Sequence, residues 1–492
     1  MTRTATPVNF TLDLHRRDGP KASQVSHALI GAIAGGQIHD GDRLPSTRTL
    51  AASFRLPRSV VVSAYEELAA AGFLVARPGG STFVEQGAGA ASRAGAFGAP
   101  LRPAARQPQR SARRIAYDLR PGLADARLIS GRDWARALRS AASASVEPDD
   151  VADPADGLAS RTVHTQHADL RRQLTGHLRR ARGLAVEADD IFLFPSVTLA
   201  LAAVVTACDL GGKQVGFEDP GYPKARVALA SAGARIRPAP VDEDGIRAQD
   251  LRASDLAVYV TPAHQFPLGG RMPVHCRAAL LDWAATHHAL VLEDDYDGEF
   301  RYDVPPLRPL RSMATGSDHV VYFGTSSKVL SRALRVSWAV LPARFRAAMN
   351  EHLDRSGDVV SEVSTAVLSS YLSTGALTRH QARAMRTYRA RQARFITACQ
   401  EYIPGVDALG IQAGLHVVLA FDCRLDDIAV AARLAASGLA CSPLSAYYAN
   451  RDSARRTGLV CGYSRLPETK ARAAARLIAR VIVDLSADQI TG

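Results

Sequence analysis

The most restrictive feature of this 492-residue sequence is a regular alternation of short apolar runs with helical segments through its middle. Helical patterns at 197–208, 223–233 and 273–288 separate runs rich in β-branched and aromatic residues, as expected of buried strands. This alternation predicts a parallel or mostly parallel sheet covered by helices, with ligands at the carboxyl ends of the strands. The runs are Ile191–Phe194, Gln214–Phe217, Leu256–Val260, Ala289–Leu292 and Val320–Phe323.

The last of these runs leads to a lysine in a setting that suits a nucleophile. Gly324 breaks the strand pattern, and small hydroxyl residues, among them Thr325 and Ser327, precede Lys328. An amine held at a strand end among such donors can condense with an aldehyde. Taken alone, the motif is also compatible with a surface lysine after a strand. The nucleophile is the favoured hypothesis because a second stretch supplies its counterpart.

The second stretch, Glu293–Arg301, places carboxylates at the end of the preceding predicted strand. Pyridoxal phosphate needs a carboxylate near its ring nitrogen and a phosphate-binding site near its lysine. The two stretches together therefore predict a site for pyridoxal 5′-phosphate.

Length and composition indicate a multidomain protein of a reducing cytoplasm. A chain of 492 residues exceeds one ordinary core, and 47% hydrophobic with 22% charged residues is typical of folded soluble domains. No apolar run reaches transmembrane length, and the first residues lack the apolar core of a secretory signal. Six cysteines are scattered without a C-x-x-C pair, which argues against zinc and against a disulfide framework. We therefore expect a cytoplasmic protein with no metal and no membrane partner.

The first 85 residues have a separate pattern of three helices and a hairpin. Apolar residues at helical spacing predict helices over 20–37 and about 58–71, and Ser46 is placed to cap a shorter helix between them. Phe73–Arg77 and Ser81–Val84, joined by a Pro-Gly-Gly turn, predict a two-stranded hairpin. This order indicates a winged helix-turn-helix, an α+β domain whose third helix enters the major groove of DNA.

The positive charge of the chain is concentrated just after this domain. The formal net charge is +12, and residues 86–114 hold six arginines and no acidic residue among alanines, glycines and prolines. This composition predicts a flexible linker whose arginines can contact DNA phosphates without base specificity. We therefore divide the chain into a DNA-binding domain at 1–85, this linker, and a C-terminal domain at 115–492. The charge favours a polyanionic partner, although arginine-rich linkers also arise without one.

The amino-terminal domain resembles the DNA-binding domain of the GntR family, through Leu44–Ala51, Ala64–Leu68 and Gly72–Leu74. Arginines can pair with phosphates or guanine edges, and backbone N–H groups at helix starts bind phosphate. Pro57 stands where the family usually has a capping serine, a change that a helix start tolerates. The resemblance implies contacts to a double-stranded DNA operator from Ser46, Arg48, Arg58, Ser59 and Gly80.

Four motifs of the C-terminal domain occur in order and resemble the aminotransferase-like domain of the MocR/GabR-type GntR regulators. They are Phe217–Pro223, Thr261–Gly269, Glu293–Tyr302 and Gly324–Lys328, the last followed by Arg335. The resemblance implies an α/β pyridoxal-phosphate-dependent transferase fold of type I. Its large domain would span about 160–345, and a smaller C-terminal α+β lobe would span about 400–492.

The same resemblance implies a role for each residue of the cofactor site. Lys328 would hold pyridoxal 5′-phosphate as a Schiff base, and Asp294 would pair with its ring nitrogen, with adjacent Asp295 as the alternative. Tyr296 would hydrogen-bond the phenolic oxygen of the ring, and Tyr222 would stack on its face. Contacts to the phosphate would come from Ser196, Thr325, Ser327 and Arg335.

Three stretches depart from the family pattern. Phe194–Thr198 lacks the glycine of the usual phosphate-binding turn, and Thr165–Asp169 replaces a Tyr-Gly-Asp-Pro-like stretch. Val460 stands where an arginine usually binds the carboxylate of an amino acid; without such a partner a bound amino acid loses orienting energy of roughly a few kcal/mol. Transamination of an ordinary α-amino acid is therefore less expected than in the family's enzymes. The candidate replacements for this arginine are Arg465, Lys224 and Arg226.

Three functions are compatible with these features. We favour a homodimeric transcription regulator that senses pyridoxal 5′-phosphate, or its adduct with an amino compound, as a small-molecule effector. The first alternative is an active aminotransferase that carries a DNA-binding domain, which multiple turnovers with amino donors would indicate. The second is a regulator that binds no cofactor, which an imine absorbance lost in Lys328→Ala would exclude.

Overall fold

The structure is a computed structural model that describes residues 10, 20–77, 81–93, 115–144, 167–302, 307–357, 360–421, 425–451 and 454–491. The chain separates into two compact units, Met1–Ala112 and Arg113–Gly492. No helix among the described residues combines the length and the apolar character needed to cross a membrane.

Within its described residues, the first unit contains the three expected helices, a β-hairpin and a fourth, short helix, which confirms the predicted α+β arrangement. Its two strands pair antiparallel, with Leu74 opposite Val84. One apolar core joins the helices to the hairpin, with Leu29, Val61 and Leu74 buried in it. The elements are α1 (Lys21–Ala34), α2 (Thr47–Ser53), α3 (Arg58–Ala70), β1 (Leu74–Arg77) and β2 (Ser81–Val84).

Local chemistry explains where these helices begin. The Ser46 side chain caps α2 by accepting a hydrogen bond from the Thr49 backbone N–H at 3.1 Å. Pro57 precedes α3 without a side-chain cap, so its fixed φ is the local feature that suits a helix start. The Tyr65 hydroxyl donates to the Pro45 carbonyl at 2.9 Å and thereby ties α3 to the start of α2.

The structure differs from the sequence prediction at the start of the expected flexible linker, 86–114. Ala88–Arg93 form a short helix, α4, that packs on α1. Its start is fixed by Asp40, whose carboxylate accepts hydrogen bonds from the backbone N–H groups of Gly87 and Gly89 at 2.8 and 2.7 Å. Residues 86–93 therefore extend the first unit, and 94–114 lie outside the described residues.

The second unit is built from alternating strands and helices. Its helices are α5 (Gly131–Ala144), α6 (Ala168–Arg182), α7 (Val197–Ala207), α8 (Pro223–Ser231), α9 (Val274–Thr286), α10 (Gly316–His319), α11 (Ser326–Val329), α12 (Arg346–Ser356), α13 (Glu362–Ser373), α14 (Ala376–Tyr402), α15 (Asp427–Ala436) and α16 (Ala471–Thr491). Its strands are β3 (Tyr117–Asp118), β4 (Ile191–Phe194), β5 (Gln214–Asp219), β6 (Arg235–Asp242), β7 (Gly245–Ile246), β8 (Asp255–Val260), β9 (Leu290–Asp294), β10 (Val320–Thr325), β11 (Ser337–Val340), β12 (Asp407–Leu409), β13 (His416–Phe421), β14 (Leu439–Ala440), β15 (Ser442–Pro443) and β16 (Thr457–Gly462).

The large sheet has the strand order β4-β11-β10-β9-β8-β5-β6-β7. The pairs β10·β9, β9·β8, β8·β5 and β5·β6 are parallel, whereas β11 runs antiparallel to both of its neighbours. The predicted mostly parallel sheet is therefore confirmed, with antiparallel strands near its edges. Apolar clusters lie on both faces, as expected of strands covered by helices on both sides.

The smaller lobe is an antiparallel sheet, β12-β13-β16-β15, packed with α15 and α16. This arrangement confirms the predicted C-terminal α+β lobe. β3, at the start of the second unit, pairs parallel with β14, so that Tyr117 lies opposite Leu439. The first described residues after the linker are thus part of this lobe.

Candidate functional site

The predicted nucleophile and the predicted carboxylates lie at the ends of neighbouring parallel strands. β9 and β10 pair in register, with Phe323 beside Asp294, and α11 follows β10 directly. Lys328 is on α11, one short turn beyond the strand end. The fold therefore brings together the two stretches that the sequence places about thirty residues apart.

The amine of Lys328 is held by backbone from a distant part of the second unit. Its Nζ donates to the Gly122 carbonyl at 2.8 Å, and burial lowers the pKa of the lysine to about 8. Gly122 has φ +72°, and a Cβ added there would lie 2.1 Å from the lysine Nζ. Glycine is therefore required here both by the backbone conformation and by the space that the amine occupies.

Asp294 is buried and offers one unpartnered oxygen. The Tyr259 hydroxyl donates to its Oδ2 at 2.6 Å, while Oδ1 has no hydrogen-bond partner. Burial raises the pKa of this carboxyl to about 6. An orphaned carboxylate oxygen of this kind can accept a hydrogen bond from a protonated ring nitrogen.

Asp295, the alternative to Asp294, also has an unpartnered Oδ1, but its Oδ2 meets a cation. Its Oδ2 forms a buried ion pair with Arg182 at 2.5 Å and accepts the Tyr322 hydroxyl at 2.6 Å. Side chains of successive strand residues point to opposite faces, so the two neighbouring acids meet different partners. The geometry therefore favours Asp294 for the cofactor ring.

Aromatic side chains surround the space beside the lysine. The Tyr222 and Phe266 rings meet edge to face with centroids 5.6 Å apart, and Phe266 meets Tyr296 in the same way at 5.5 Å. The lysine Nζ lies 5.8 Å from the centre of the Tyr296 ring. Burial raises the pKa of Tyr222 to about 12, so this phenol is neutral near pH 7.

Two buried residues that sequence reasoning did not single out hold the Tyr296 hydroxyl. His264 Nδ1 lies 2.9 Å from that hydroxyl and 3.0 Å from Asp297 Oδ2. Both residues belong to the motifs that carry the family resemblance, Thr261–Gly269 and Glu293–Tyr302, which was the available signal.

Three of the four proposed phosphate residues lie at the starts of helices. Ser196 caps α7 by accepting from the Leu199 N–H at 3.3 Å, and it shares a 2.9 Å hydrogen bond with the Thr198 hydroxyl. Thr325 caps α11 by accepting from the Ser327 N–H at 3.2 Å. Arg335 is exposed at φ +50°, and it has no hydrogen bond or ion pair within the described part of the chain.

Most of the residues that could bind the carboxylate of an amino acid already have other hydrogen-bond or ion-pair partners. Val460 is buried in an apolar cluster with Phe266. Arg226 donates to the Tyr447 and Tyr448 carbonyls, and Arg465 pairs with Asp118 at 3.0 Å. Lys224 is the remaining candidate, and its charge acts on Lys328.

The predicted DNA contacts can be located in part. The four that fall within the described residues are exposed at the starts of α2 and α3, and Gly80 lies outside the described residues. Exposed arginines beside two helix starts form a surface that suits phosphate. The four are Ser46, Arg48, Arg58 and Ser59.

Two family models match the chain in the order of its units. Residues 21–84 match the gntR family of bacterial regulatory proteins, and residues 137–465 match aminotransferase class I and II. The larger match covers most of the second unit, and it includes both strand ends of the site.

Two transcription regulators align with the chain across both matched regions. The HTH-type pyridoxine biosynthesis transcriptional regulator PdxR of Corynebacterium glutamicum is 31% identical over 453 residues, which cover 92% of this chain and 93% of that protein. The probable rhizopine catabolism regulatory protein MocR of Rhizobium meliloti is 30% identical over 468 residues, 92% of each chain.

Solved structures show the fold of the second unit. An archaeal alanine:glyoxylate aminotransferase superposes with a TM-score of 0.66 at 22% identity over 75% of this chain and 91% of that one. Kynurenine aminotransferase of Pyrococcus horikoshii gives 0.63 at 23% identity, covering 75% and 90%. The expected fold type I is thereby confirmed. Both units match family models in order, and two regulators align with nine-tenths of the chain. The chain therefore belongs to the MocR-type GntR family, in which a helix-turn-helix domain precedes an aminotransferase class I and II domain.

Proposed function

We propose that this protein is a transcription regulator that binds double-stranded DNA through its first unit and pyridoxal 5′-phosphate through its second. The observation that carries the proposal is that Lys328, with its buried amine, and Asp294, with its unpartnered Oδ1, lie at the ends of neighbouring parallel strands. The names of the relatives support regulation, and the exposed helix starts of the first unit suit an operator.

The residues at the strand ends fit the cofactor. Pyridoxal phosphate supplies an aldehyde and an electron-withdrawing ring when it is bound. A lysine with a pKa of about 8 keeps a useful fraction of neutral amine near pH 7, and that form attacks an aldehyde. Asp294 would hold the ring nitrogen in its protonated state, and Tyr222 would cover one face of the ring.

The phosphate would be bound by two helix starts and one arginine. The N-terminus of α7, with Ser196 as its cap, offers backbone N–H groups, and α11 adds Thr325 and Ser327. Arg335 is unpaired in the described part of the chain and would neutralise part of the charge. These contacts replace the glycine turn that the family usually has.

The surroundings of Val460 favour a sensor over a general aminotransferase. Its apolar cluster gives no cationic group to an α-carboxylate, so an ordinary amino acid would be poorly oriented. We expect the effector to be the cofactor itself or its adduct with an amino compound. Such an effector shifts DNA binding only if its affinity differs between two states of the protein.

Absorbance and DNA binding test this proposal together. Purified apo-protein titrated with pyridoxal 5′-phosphate is expected to develop a visible imine band, and Lys328→Ala is expected to lack it. Arg48→Ala with Arg58→Ala is expected to abolish a gel shift of operator DNA, whereas Arg433→Ala, an exposed arginine of the second unit, leaves it intact. Absence of the band in wild type would refute cofactor binding, and an unchanged gel shift in the double variant would refute the DNA surface.

Two further parts of the proposal need their own measurements. We expect a homodimer bound to repeated half-sites, which light scattering and footprinting would test. The alternative function, an active aminotransferase, is less favoured because the relatives are named as regulators, but the lowered pKa of Lys328 is compatible with it. Repeated turnover with an amine donor would establish the enzyme, and a single stalled adduct would establish the sensor.

A further inference from the structure

The Tyr296 hydroxyl, which the proposed function assigns to the phenolic oxygen of the cofactor, is held by two fully buried side chains. His264 and Asp297 have side-chain exposures of 1% and 2%, and His264 Nδ1 lies within hydrogen-bond distance of both neighbours. The inference below rests on that proposed function. It concerns what fixes the hydrogen of this hydroxyl.

Hydrogen-bond accounting assigns the tautomer of His264. Nδ1 lies 3.0 Å from an Asp297 carboxylate oxygen, which accepts hydrogen bonds and therefore favours a proton on Nδ1. Nε2 is buried without a hydrogen-bond partner, against the backbone of Gly269 and Gly410. A proton on Nε2 would be an unsatisfied buried donor, whereas a bare lone pair costs less. This accounting places the ring proton of His264 on Nδ1.

This tautomer determines what Tyr296 can do. A protonated Nδ1 does not accept, so its one N–H is shared between the Asp297 carboxylate and the Tyr296 oxygen, and the tyrosine's own hydrogen is directed elsewhere. The Asp297 carboxylate also lies within hydrogen-bonding reach of this hydroxyl and is the competing acceptor. We propose that Asp297 and His264 are positioning residues that make Tyr296 a hydrogen-bond donor to the cofactor's phenolic oxygen.

The packing around the pair keeps this arrangement in place. A Cβ added at Gly414 would lie 2.4 Å from both Asp297 Oδ2 and the His264 ring, so the backbone presses directly on the pair. The His416 ring lies 5.2 Å from that of His264, and burial lowers the pKa of His416 to about 3. His416 is therefore neutral and adds no charge that would favour the other tautomer.

The first test measures the pH at which the visible band of the bound cofactor changes. A hydrogen-bond donor to the cofactor's phenolic oxygen stabilises the negative charge of that oxygen. This stabilisation is largest when the imine nitrogen beside it is unprotonated. Loss of the donor therefore raises the pH midpoint of the absorbance change. Tyr296→Phe is expected to raise it by about one pH unit, and His264→Phe by a comparable amount. Other charges facing Lys328 are unchanged by His264→Phe, namely Asp294, Asp297, Lys224 and Arg332. Substituting Asp297 would alter one of these charges directly, which is why the histidine is replaced.

A double-variant cycle separates positioning from a general structural effect. If His264 acts through Tyr296, then His264→Phe shifts the midpoint in wild type and produces no further shift in the Tyr296→Phe background. An equal shift in both backgrounds would overturn the proposal, as would no shift in wild type. Tyr371→Phe, which removes a buried hydroxyl without a hydrogen-bond partner, controls for the loss of a phenol and is expected to leave the midpoint unchanged.

The second test needs no cofactor and so stands apart from the proposed function. Nitrogen NMR of the apo-protein labelled in histidine distinguishes Nδ1–H from Nε2–H, with the His264→Phe spectrum assigning the signal. A protonated Nδ1 and bare Nε2 support the proposal. An Nε2–H signal, or a metal found by elemental analysis on the cluster of His264, Asp297 and His416, would overturn it. If no imine band forms in wild type, the proposed function fails while this measurement still decides the tautomer.

Discussion

The choice between Asp294 and Asp295 gives the sharpest prediction about the cofactor site. Asp294→Asn removes the negative charge beside the orphaned Oδ1 but keeps the shape of the side chain. A hydrogen bond to a charged group contributes about 1.5–3 kcal/mol, which corresponds to about 10- to 150-fold in affinity. We therefore expect pyridoxal 5′-phosphate to bind about 10- to 150-fold more weakly to this variant.

The same substitution at the neighbouring Asp295 is expected to affect stability instead of cofactor affinity. Asp295→Asn leaves the buried Arg182 without its counter-ion, and breaking such a pair costs about 3–5 kcal/mol of folding free energy. Its expected effect is therefore a lower unfolding midpoint in urea, with cofactor affinity of the folded protein changed by less than about threefold. Tyr259→Phe, which removes the 2.6 Å hydrogen bond to Asp294 Oδ2, is expected to weaken binding by about 2- to 12-fold.

Spectroscopic titration of apo-protein with cofactor measures the three affinities, and urea unfolding measures the three stabilities. The ranking of affinity loss is Asp294→Asn, then Tyr259→Phe, then Asp295→Asn. A larger affinity loss in Asp295→Asn than in Asp294→Asn would refute the assignment, because the cofactor ring would then lie over the other acid.

Three further predictions follow from buried groups. Arg182→Met is expected to lower the free energy of unfolding, measured in urea, by about 3–5 kcal/mol, because Asp295 loses its counter-ion. The control Arg433→Met, at an exposed position, is expected to change it by less than about 0.5 kcal/mol. Gly122→Ala is expected to slow imine formation at least tenfold in stopped-flow absorbance, since its Cβ would overlap the lysine amine; an unchanged rate would contradict this. Burial raises the pKa of Glu218 and Glu293 to about 7 and that of Asp294 to about 6, so these three groups hold more protons in the folded than in the unfolded state between about pH 4 and 7. They outnumber His416, whose pKa burial lowers to about 3 with the opposite effect, so apo-protein stability in urea is expected to fall as pH rises through that window; a rise would contradict the assignment.

The sequence predicts the parts of the fold that depend on local pattern. Apolar runs identified β4, β5, β8, β9 and β10, because a strand buried on both faces is apolar along its length. β6 went unnoticed, since Arg235–Asp242 lies near the sheet edge, contains charges and prolines, and buries only Ala239. The short helix α4 was missed for a different reason. Its start depends on Asp40, which lies almost fifty residues earlier in the chain.

The residues that complete the site are those fixed by distant contacts. Gly122 accepts the amine of a lysine 206 residues away, and no local pattern indicates that pairing. His264 and Asp297 were within recognised motifs, but their hydrogen bond becomes apparent only when β8 and β9 are placed side by side. Motifs therefore indicated where the proposed site lies, while the tertiary contacts determine which residues surround it.

The pair Asp294-Asp295 illustrates why sequence alone left this choice open. Two adjacent carboxylates at a strand end are certain to point to opposite faces, but their order does not reveal which face will hold a ligand. The structure separates them by their partners. Asp295 meets a cation that compensates its charge, so a ring nitrogen there would share the carboxylate with Arg182. Asp294 meets only the neutral Tyr259 hydroxyl at Oδ2, and burial raises its pKa to about 6. Burial makes the ionised Asp294 carboxylate unfavourable when no cofactor is bound. A protonated ring nitrogen would compensate this desolvation cost, so the burial of Asp294 contributes to the affinity for the cofactor.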